Sequence, residues 1–278
     1  MNYRHAFHAG NFADLLKHAV LTNLLRALTS APSALTVIDT HAGAGIYDLA
    51  GDSARRTGEA EAGIVRLMAA ADGPATFADL RAAVRRANRG DAVRFYPGSP
   101  VLIGEALRPR DHFIACEIRP DDHTALKAVL PRHVGAEILQ ADGWTIAPAQ
   151  TPAAPAGAMV LIDPPFERGD DSLKLAIATG AILRRNPGAV VAVWAPIKDL
   201  AGFDSVLAAL EDAAGRAAIL VAEVRLRPLA DPMTMNGCAM VVINPPDGLA
   251  EPALAAAQWI AREIGRDGGL GRITRLGG

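Results

Sequence analysis

Seven short apolar runs recur along this chain, and stretches of helical pattern separate most of them. They are Leu35 to Asp39, His112 to Glu117, Glu137 to Ala141, Ala158 to Asp163, Ala189 to Trp194, Ala217 to Arg227 and Cys238 to Asn244. Runs this short read as strands. The segments Asp121 to Leu130, Asp171 to Arg184 and Leu200 to Gly215 read as helices, and strands alternating with helices build a parallel sheet covered on both faces. The last two runs break that rule. Only about ten residues, Pro228 to Gly237, join them, fewer than a crossover needs, so this pair is expected to form an antiparallel hairpin.

The ends of the runs carry the chemistry. The first leads into Asp39-Thr40-His41-Ala42-Gly43-Ala44-Gly45, a turn whose glycines let the backbone approach a ligand. A dinucleotide site would want a third glycine, where Asp48 stands, and a pyrophosphate would be repelled by Asp39. A cationic or zwitterionic ligand suits this loop better, and S-adenosylmethionine has both a sulfonium and an amino group. The acid that binds ribose at the end of the second strand is then Glu117. It lies much further on than the usual spacing of about 20 residues, which implies an insertion of roughly 50 residues. The segment from about 52 to 94 carries helical patterns over Glu59 to Ala71 and Ala75 to Asn88. It is expected as a small helical subdomain over the sheet's C-terminal edge, within a single domain spanning 1–278. The third strand ends in Asp142-Gly143, with Asp142 a candidate acceptor for an adenine amine. An α/β, Rossmann-like class I methyltransferase fold follows, with a mostly parallel seven-stranded sheet, a C-terminal antiparallel hairpin and an inserted helical subdomain.

The fourth strand delivers Asp163-Pro164-Pro165-Phe166. A nucleobase amine is a poor nucleophile, because its lone pair is delocalised into the ring. If the Asp163 carboxylate and the Pro164 carbonyl accept its two N–H bonds, the nitrogen can pyramidalise and aim that lone pair at an electrophile, with Phe166 as stacking platform. The two prolines fix the turn. Asn244-Pro245-Pro246-Asp247 also follows a strand, but it has no aromatic and reads as a strand stop.

Composition narrows the partners. A formal net charge of −2 excludes a protein that coats nucleic acid through global positive charge, although Arg81, Arg85, Arg86 and Arg89 would make a local stripe on a helix, either an RNA contact or a solvated face. No run approaches the roughly 18 to 20 apolar residues of a membrane span, and the N-terminus has no signal-peptide pattern, so a cytoplasmic protein without membrane contact is expected. Cys116 and Cys238 lie in apolar runs and read as buried thiols. His5, His8 and His18 lack the companions of a metal site, so no metal is expected. With no long exposed apolar stripe, the expected state is a monomer. The Ala- and Pro-rich stretch Ala147 to Ala156 reads as a loop.

The N-terminal run Tyr3 to His18, in which Asn11 can cap a helix, closely resembles the start of the RlmJ family of 23S ribosomal RNA adenine-N6 methyltransferases. So do Asp39 to Gly45, Arg56-Thr57-Gly58-Glu59, Tyr96-Pro97-Gly98-Ser99-Pro100, Glu117-Ile118-Arg119-Pro120, Ala141-Asp142-Gly143 and the Asp163 motif. The resemblance implies metal-free methylation of one adenine of 23S RNA, naked or in an early assembly intermediate, with S-adenosylmethionine as donor. By position it implies that His18, His41, Ser99, Glu117, Asp142, Gly143 and Asp163 touch the donor; the reading of the glycine turn adds Gly43. It also implies that Asp163 is catalytic and that Tyr3 contacts the RNA; the reading of the residues themselves sets Pro164 and Phe166 beside Asp163 and adds His5, toward cofactor or RNA, and Lys17 as candidate RNA contacts. Relatives often carry Tyr where Phe166 stands, and Trp194-Ala195-Pro196 is less aromatic than its counterpart.

Several readings stay open. Lys17 is either a solvated helix lysine or a phosphate contact, Ser99 caps a helix or touches a ligand, and Glu59 is a helix-start carboxylate or a functional group. The same fold could act on another planar amine, such as DNA adenine, guanine N2 or a glutamine amide. A protein that binds RNA without catalysis is the alternative of a different class.

Overall fold

The first helix begins where Asn11 Oδ1 accepts from the amides of Ala13 and Asp14 at 2.9 and 3.0 Å, which satisfies two of the donors that every helix start leaves open. In a computed structural model that describes residues 7–51, 57–89, 92–130, 135–231 and 233–277, this helix, α1, runs Phe12–Ser30. In chain order there follow β1 (Leu35–Asp39), β2 (Ile46–Asp48), α2 (Arg66–Ala69), α3 (Ala78–Ala87), β3 (Phe95–Pro97), α4 (Ser99–Ala106), β4 (His112–Cys116), α5 (Pro120–Val129), β5 (Ala136–Leu139), α6 (Gly143–Gln150) and β6 (Gly157–Ile162). The chain continues through α7 (Asp171–Arg185), β7 (Val190–Ile197), α8 (Leu200–Ala214), β8 (Ile219–Arg225), β9 (Gly237–Ile243), α9 (Ala250–Glu263) and β10 (Leu270–Leu276).

The main sheet has the order β10-β8-β9-β7-β6-β1-β4-β5, in which β5, β4, β1, β6 and β7 run parallel. As the short connection requires, β8 and β9 are an antiparallel hairpin, with β9 inserted beside β7. Eight strands rather than the expected seven make up this sheet. The additional one, β10, pairs antiparallel with β8 at the edge and is only half buried; Gly271, Arg272 and Arg275 break its apolar pattern, so no run announces it. The expected loop at Ala147 to Ala156 is also shorter, because α6 continues through Pro148 to Gln150.

Alternate residues of the strands feed two cores, as the two-residue period of a strand demands. In β6, Met159 and Leu161 face the layer containing α1 and α9, whereas Val160 and Ile162 face that containing α7 and α8. Cys116 and Cys238 are buried and free. Leu15, Leu16, Leu21, Leu24 and Leu25 of α1 are fully buried, each worth roughly 1.5 to 3 kcal/mol. That burial makes α1 a core helix and takes its polar residues Asp14, Lys17 and His18 inside with it.

The inserted segment leaves and returns through an antiparallel pairing of β2 with β3. Its Ile64, Leu67, Phe77, Leu80 and Val84 join the core of the α1 layer. Ahead of α2 the helix is widened over Glu61–Val65. Here the Ile64 amide donates to the Gly10 carbonyl at 2.8 Å, and a Cβ on Gly63 would lie 2.1 Å from that same oxygen. A carbonyl from outside the helix has displaced its internal ladder. Among the described residues, no helix is long and apolar enough to cross a membrane.

Candidate active site

The C-terminal ends of β5, β4, β1, β6 and β7 open onto one cavity of about 470 Å³. It is lined by Lys17, His18, His41, Gly43, Ser99, Glu117, Asp142, Gly143, Asp163, Pro164 and Phe166, so the sequence-named residues of these elements converge on one space. Tyr3 and His5 lie outside the described residues.

At its floor is a buried ion triad. Lys17 Nζ donates to Asp163 Oδ2 at 2.6 Å and lies 2.8 Å from Asp14 Oδ1. Burial alone would lower the lysine pKa, but the two carboxylates raise it well above the ordinary 10.5, so it stays a cation. Asp14 is fixed in turn by the Gly10 amide at 2.8 Å. Lys17 is only 4% exposed and is therefore not the solvated lysine considered above; nor does it sit at the surface as a phosphate contact. The apolar pattern of α1 shows which face is buried but gives no sign of a partner supplied by β6.

Beside the triad, Asp39 is fully buried at the end of β1 and accepts from Ser99 Oγ at 2.6 Å and from the His41 amide at 3.2 Å. Burial pushes its carboxyl up to about 7 against those hydrogen bonds. Ser99, in the first turn of α4, thus spends its hydroxyl on Asp39. Thr40 Oγ1 donates to the Leu161 carbonyl at 3.0 Å and meets His41 Nδ1 at 2.7 Å. A hydroxyl has one proton, so His41 Nδ1–H is the donor in the second bond and Nε2 the acceptor. Burial lowers the His41 pKa to about 4, which keeps the ring neutral. His18 Nδ1 lies 2.6 Å from Tyr96 Oη, and the two rings stack at 5.4 Å.

The glycine loop is built around Glu117. Gly43 adopts φ +64° and donates its amide to Glu117 Oε2 at 2.9 Å, while the Arg119 amide donates to Oε1 at 2.7 Å. Glu117 is 7% exposed; burial raises its pKa, and the two amides oppose that rise. A Cβ on Gly43 would fall 2.2 Å from Tyr47 Oη, a phenol no motif pointed to. Asp142 caps α6 through the Trp144 amide at 3.0 Å, and a Cβ on Gly143 would meet the Thr40 carbonyl oxygen at 2.1 Å. The two loops are in backbone contact there.

On the other side, Phe166 sits at φ +49°, a conformation costing an L-residue roughly 1 to 2 kcal/mol. Its ring is 6.1 Å from that of Trp194. Asn244, whose motif resembles this one, instead donates to the Pro187 and Ala189 carbonyls outside the cavity, as a strand stop would. Glu59 accepts from Asn11 Nδ2 at 2.9 Å and lies 3.0 Å from His8 Nδ1, so it ties the insertion to the start of α1. Burial would raise the Glu59 pKa, but these two partners bring it below the ordinary value.

Over residues 32–275 the sequence matches the family described as "Ribosomal RNA large subunit methyltransferase D, RlmJ". The chain belongs to the RlmJ family. It is 33% identical over 264 residues to the ribosomal RNA large subunit methyltransferase J of Escherichia coli (strain K12), covering 95% of this chain and 94% of the relative. To the protein of the same description from Haemophilus influenzae it is 34% identical over 247 residues, 88% of each. A crystal structure of a Legionella pneumophila protein superposes with a TM-score of 0.86 at 25% identity over 98% of both chains. RlmJ membership makes the sheet order and its terminal hairpin those of a Rossmann-like methyltransferase fold.

Proposed function

We propose that this RlmJ-family protein transfers a methyl group from S-adenosylmethionine to the N6 amine of an adenine in large-subunit ribosomal RNA. The observation that carries the reading is that Asp163, Pro164 and Phe166 share one cavity with Glu117, Gly43 and Asp142. The side chains read as an amine holder and as a nucleoside-binding acid thus line a single space. The residues fit the donor. Glu117 is held by two amides with its carboxylate on the cavity, Asp142 and the net negative triad of Lys17 with Asp14 and Asp163 offer a field suited to a cation, and about 470 Å³ lies within the usual range for a ligand of this size.

When bound, the donor supplies a methyl group on a cationic sulfur. Glu117 would take the ribose hydroxyls, and Asp142 with the Gly143 turn would take the adenine edge. His18, His41 and Ser99 would shape the wall around the amino-acid end. The target adenine leaves its stack to enter beside Phe166, and Asp163 and the Pro164 carbonyl accept its two N6 hydrogens. Lys17 engages Asp163 Oδ2, which leaves Oδ1 for the amine. Held by Asp163 and the Pro164 carbonyl, the nitrogen would aim its lone pair at the donor's methyl group, and the new N–C bond would replace the methyl–sulfur bond, whose electron pair would stay on sulfur. The proton that the nitrogen then sheds passes to Asp163 or to water. Positioning and oriented dipoles supply the acceleration.

The test is to incubate the protein with radiolabelled S-adenosylmethionine and, separately, unmodified 23S RNA, 16S RNA and DNA, then digest and identify the labelled nucleoside. N6-methyladenosine from 23S RNA alone is expected, and Asp163→Ala abolishes it while the protein still binds donor. Label on guanine or in DNA would replace this acceptor, and turnover by the Asp163→Ala protein would remove Asp163 from the chemistry.

A further inference from the structure

Besides the buried Lys17, the lysines and arginines lining the cavity are Arg119, just past β4, and Arg168, Lys174 and Lys198, beyond β6 and β7; Arg119 pairs with Asp121 and Asp122. Asp170 engages two of these cations, Lys174 Nζ at 2.9 Å and Arg168 Nε at 3.4 Å. Lys198 differs from both. It is exposed just past the end of β7, lines the mouth of the cavity with Trp194, and forms no ion pair with any described residue.

The backbone that carries Lys198 is firmly held. Asn236, fully buried at the start of the β9 side, donates its side-chain amide to the Lys198 carbonyl at 2.8 Å and to the Asp231 carbonyl at 2.7 Å. Its own amide donates to the Ile197 carbonyl at 2.9 Å. A lone cation is thus fixed at its root and free at its tip. It lines the same cavity as Asp163 and Phe166.

We infer that Lys198 binds a backbone phosphate next to the target nucleotide, so that the β7 rim is the substrate side of the site and recognises RNA by charge. The inference rests on the function proposed above and adds the surface on which the polyanion lies. In a chain of net charge −2, local placement of positive charge is what permits such docking. Lys198 fixes the register of the strand without reading its sequence, because phosphate contacts position and base contacts specify.

The experiment compares the parent protein with Lys198→Gln and Lys198→Arg. Binding of a 23S RNA fragment is read by fluorescence anisotropy across a KCl series, and methyl transfer is read in parallel. Losing one phosphate contact should weaken RNA binding about tenfold and make the slope of log K against log salt shallower by about 0.7 to 0.9. Arginine should restore both, and donor affinity, measured by calorimetry, should stay at the parent value in both variants. A Lys198→Gln protein with the parent's affinity and salt slope overturns the inference. So does a loss that arginine does not rescue, since that would mark a structural role. If the parent binds RNA but transfers no methyl group, the proposed function fails, while the salt slope still decides the role of Lys198.

Discussion

Replacing Lys17 by Met removes the one cation that α1 brings between two buried carboxylates and keeps a side chain of similar length. Side-chain exposures are 6% for Lys17, 3% for Asp14 and 16% for Asp163, so water does little to compensate. Breaking a buried ion pair by deleting one partner costs about 3 to 5 kcal/mol, because a charge is left without its counterion. Here two carboxylates would share the vacated space. For a chain of this size each kcal/mol lowers Tm by about 2 to 4 °C, so Lys17→Met should melt roughly 6 to 20 °C below the parent at pH 8. The pH dependence separates this cause from lost packing. In the parent, the raised Lys17 pKa means that the pair's contribution is complete below 10.5 and is lost only as pH rises through the higher folded value, so it is constant from pH 5 to 9. In the variant, protonating one carboxylate removes the uncompensated charge, and the deficit should shrink as pH falls. Urea denaturation of both proteins at pH 5, 7 and 9 measures this. A deficit under about 1 kcal/mol, or one that does not change with pH, would refute the argument that electrostatics of the triad dominates at this position.

Three further predictions follow from single contacts. Gly143→Ala forces a Cβ against the Thr40 carbonyl, a backbone group that no rotamer change can move aside; it should cost about 1 to 3 kcal/mol in urea denaturation and weaken donor binding in calorimetry. Tyr96→Phe keeps the ring stacked on His18 but deletes the hydroxyl bonded to Nδ1; it should cost about 1 to 3 kcal/mol, and NMR of the His18 ring nitrogens should show a changed protonation pattern, whereas an unaltered pattern would deny Tyr96 a role in orienting that ring. Asp39 has a folded pKa raised from 3.8 to about 7, so its stabilising contribution is complete below the unfolded value and is lost as pH rises through about 7. Asp39→Asn, which keeps an acceptor for Ser99, should therefore gain on the parent between pH 4 and 7 by at most about 1.4 kcal/mol per pH unit, and parallel stability curves would contradict the burial argument.

What the sequence discloses about this site is set by how local each cause is. The ends of β1, β4 and β6 are legible because an apolar run followed by Asp39, Glu117 or Asp163 is a contiguous pattern, and parallel strands carry all such ends to one edge of the sheet. The hairpin of β8 and β9 is legible for a similar reason, since a short connection leaves no room for a crossover. The identity of each partner is not local. Lys17 meets Asp163 across 146 residues of sequence and His18 meets Tyr96 across 78, and nothing in either neighbourhood signals the other. A polar residue on a buried helix face signals only that some partner must exist, because an unpaired charge there would cost too much. That requirement has a functional consequence. The residue that completes the triad is the carboxylate at the end of β6, so any movement of α1 must either carry Lys17 off Asp163 or drag the Asp163 turn with it. Phe166, which follows in the same turn at φ +49°, would shift too. The N-terminal helix and the Asp163 turn, far apart in the chain, are therefore joined by a direct ion pair, and a shift of the first should be felt at the second.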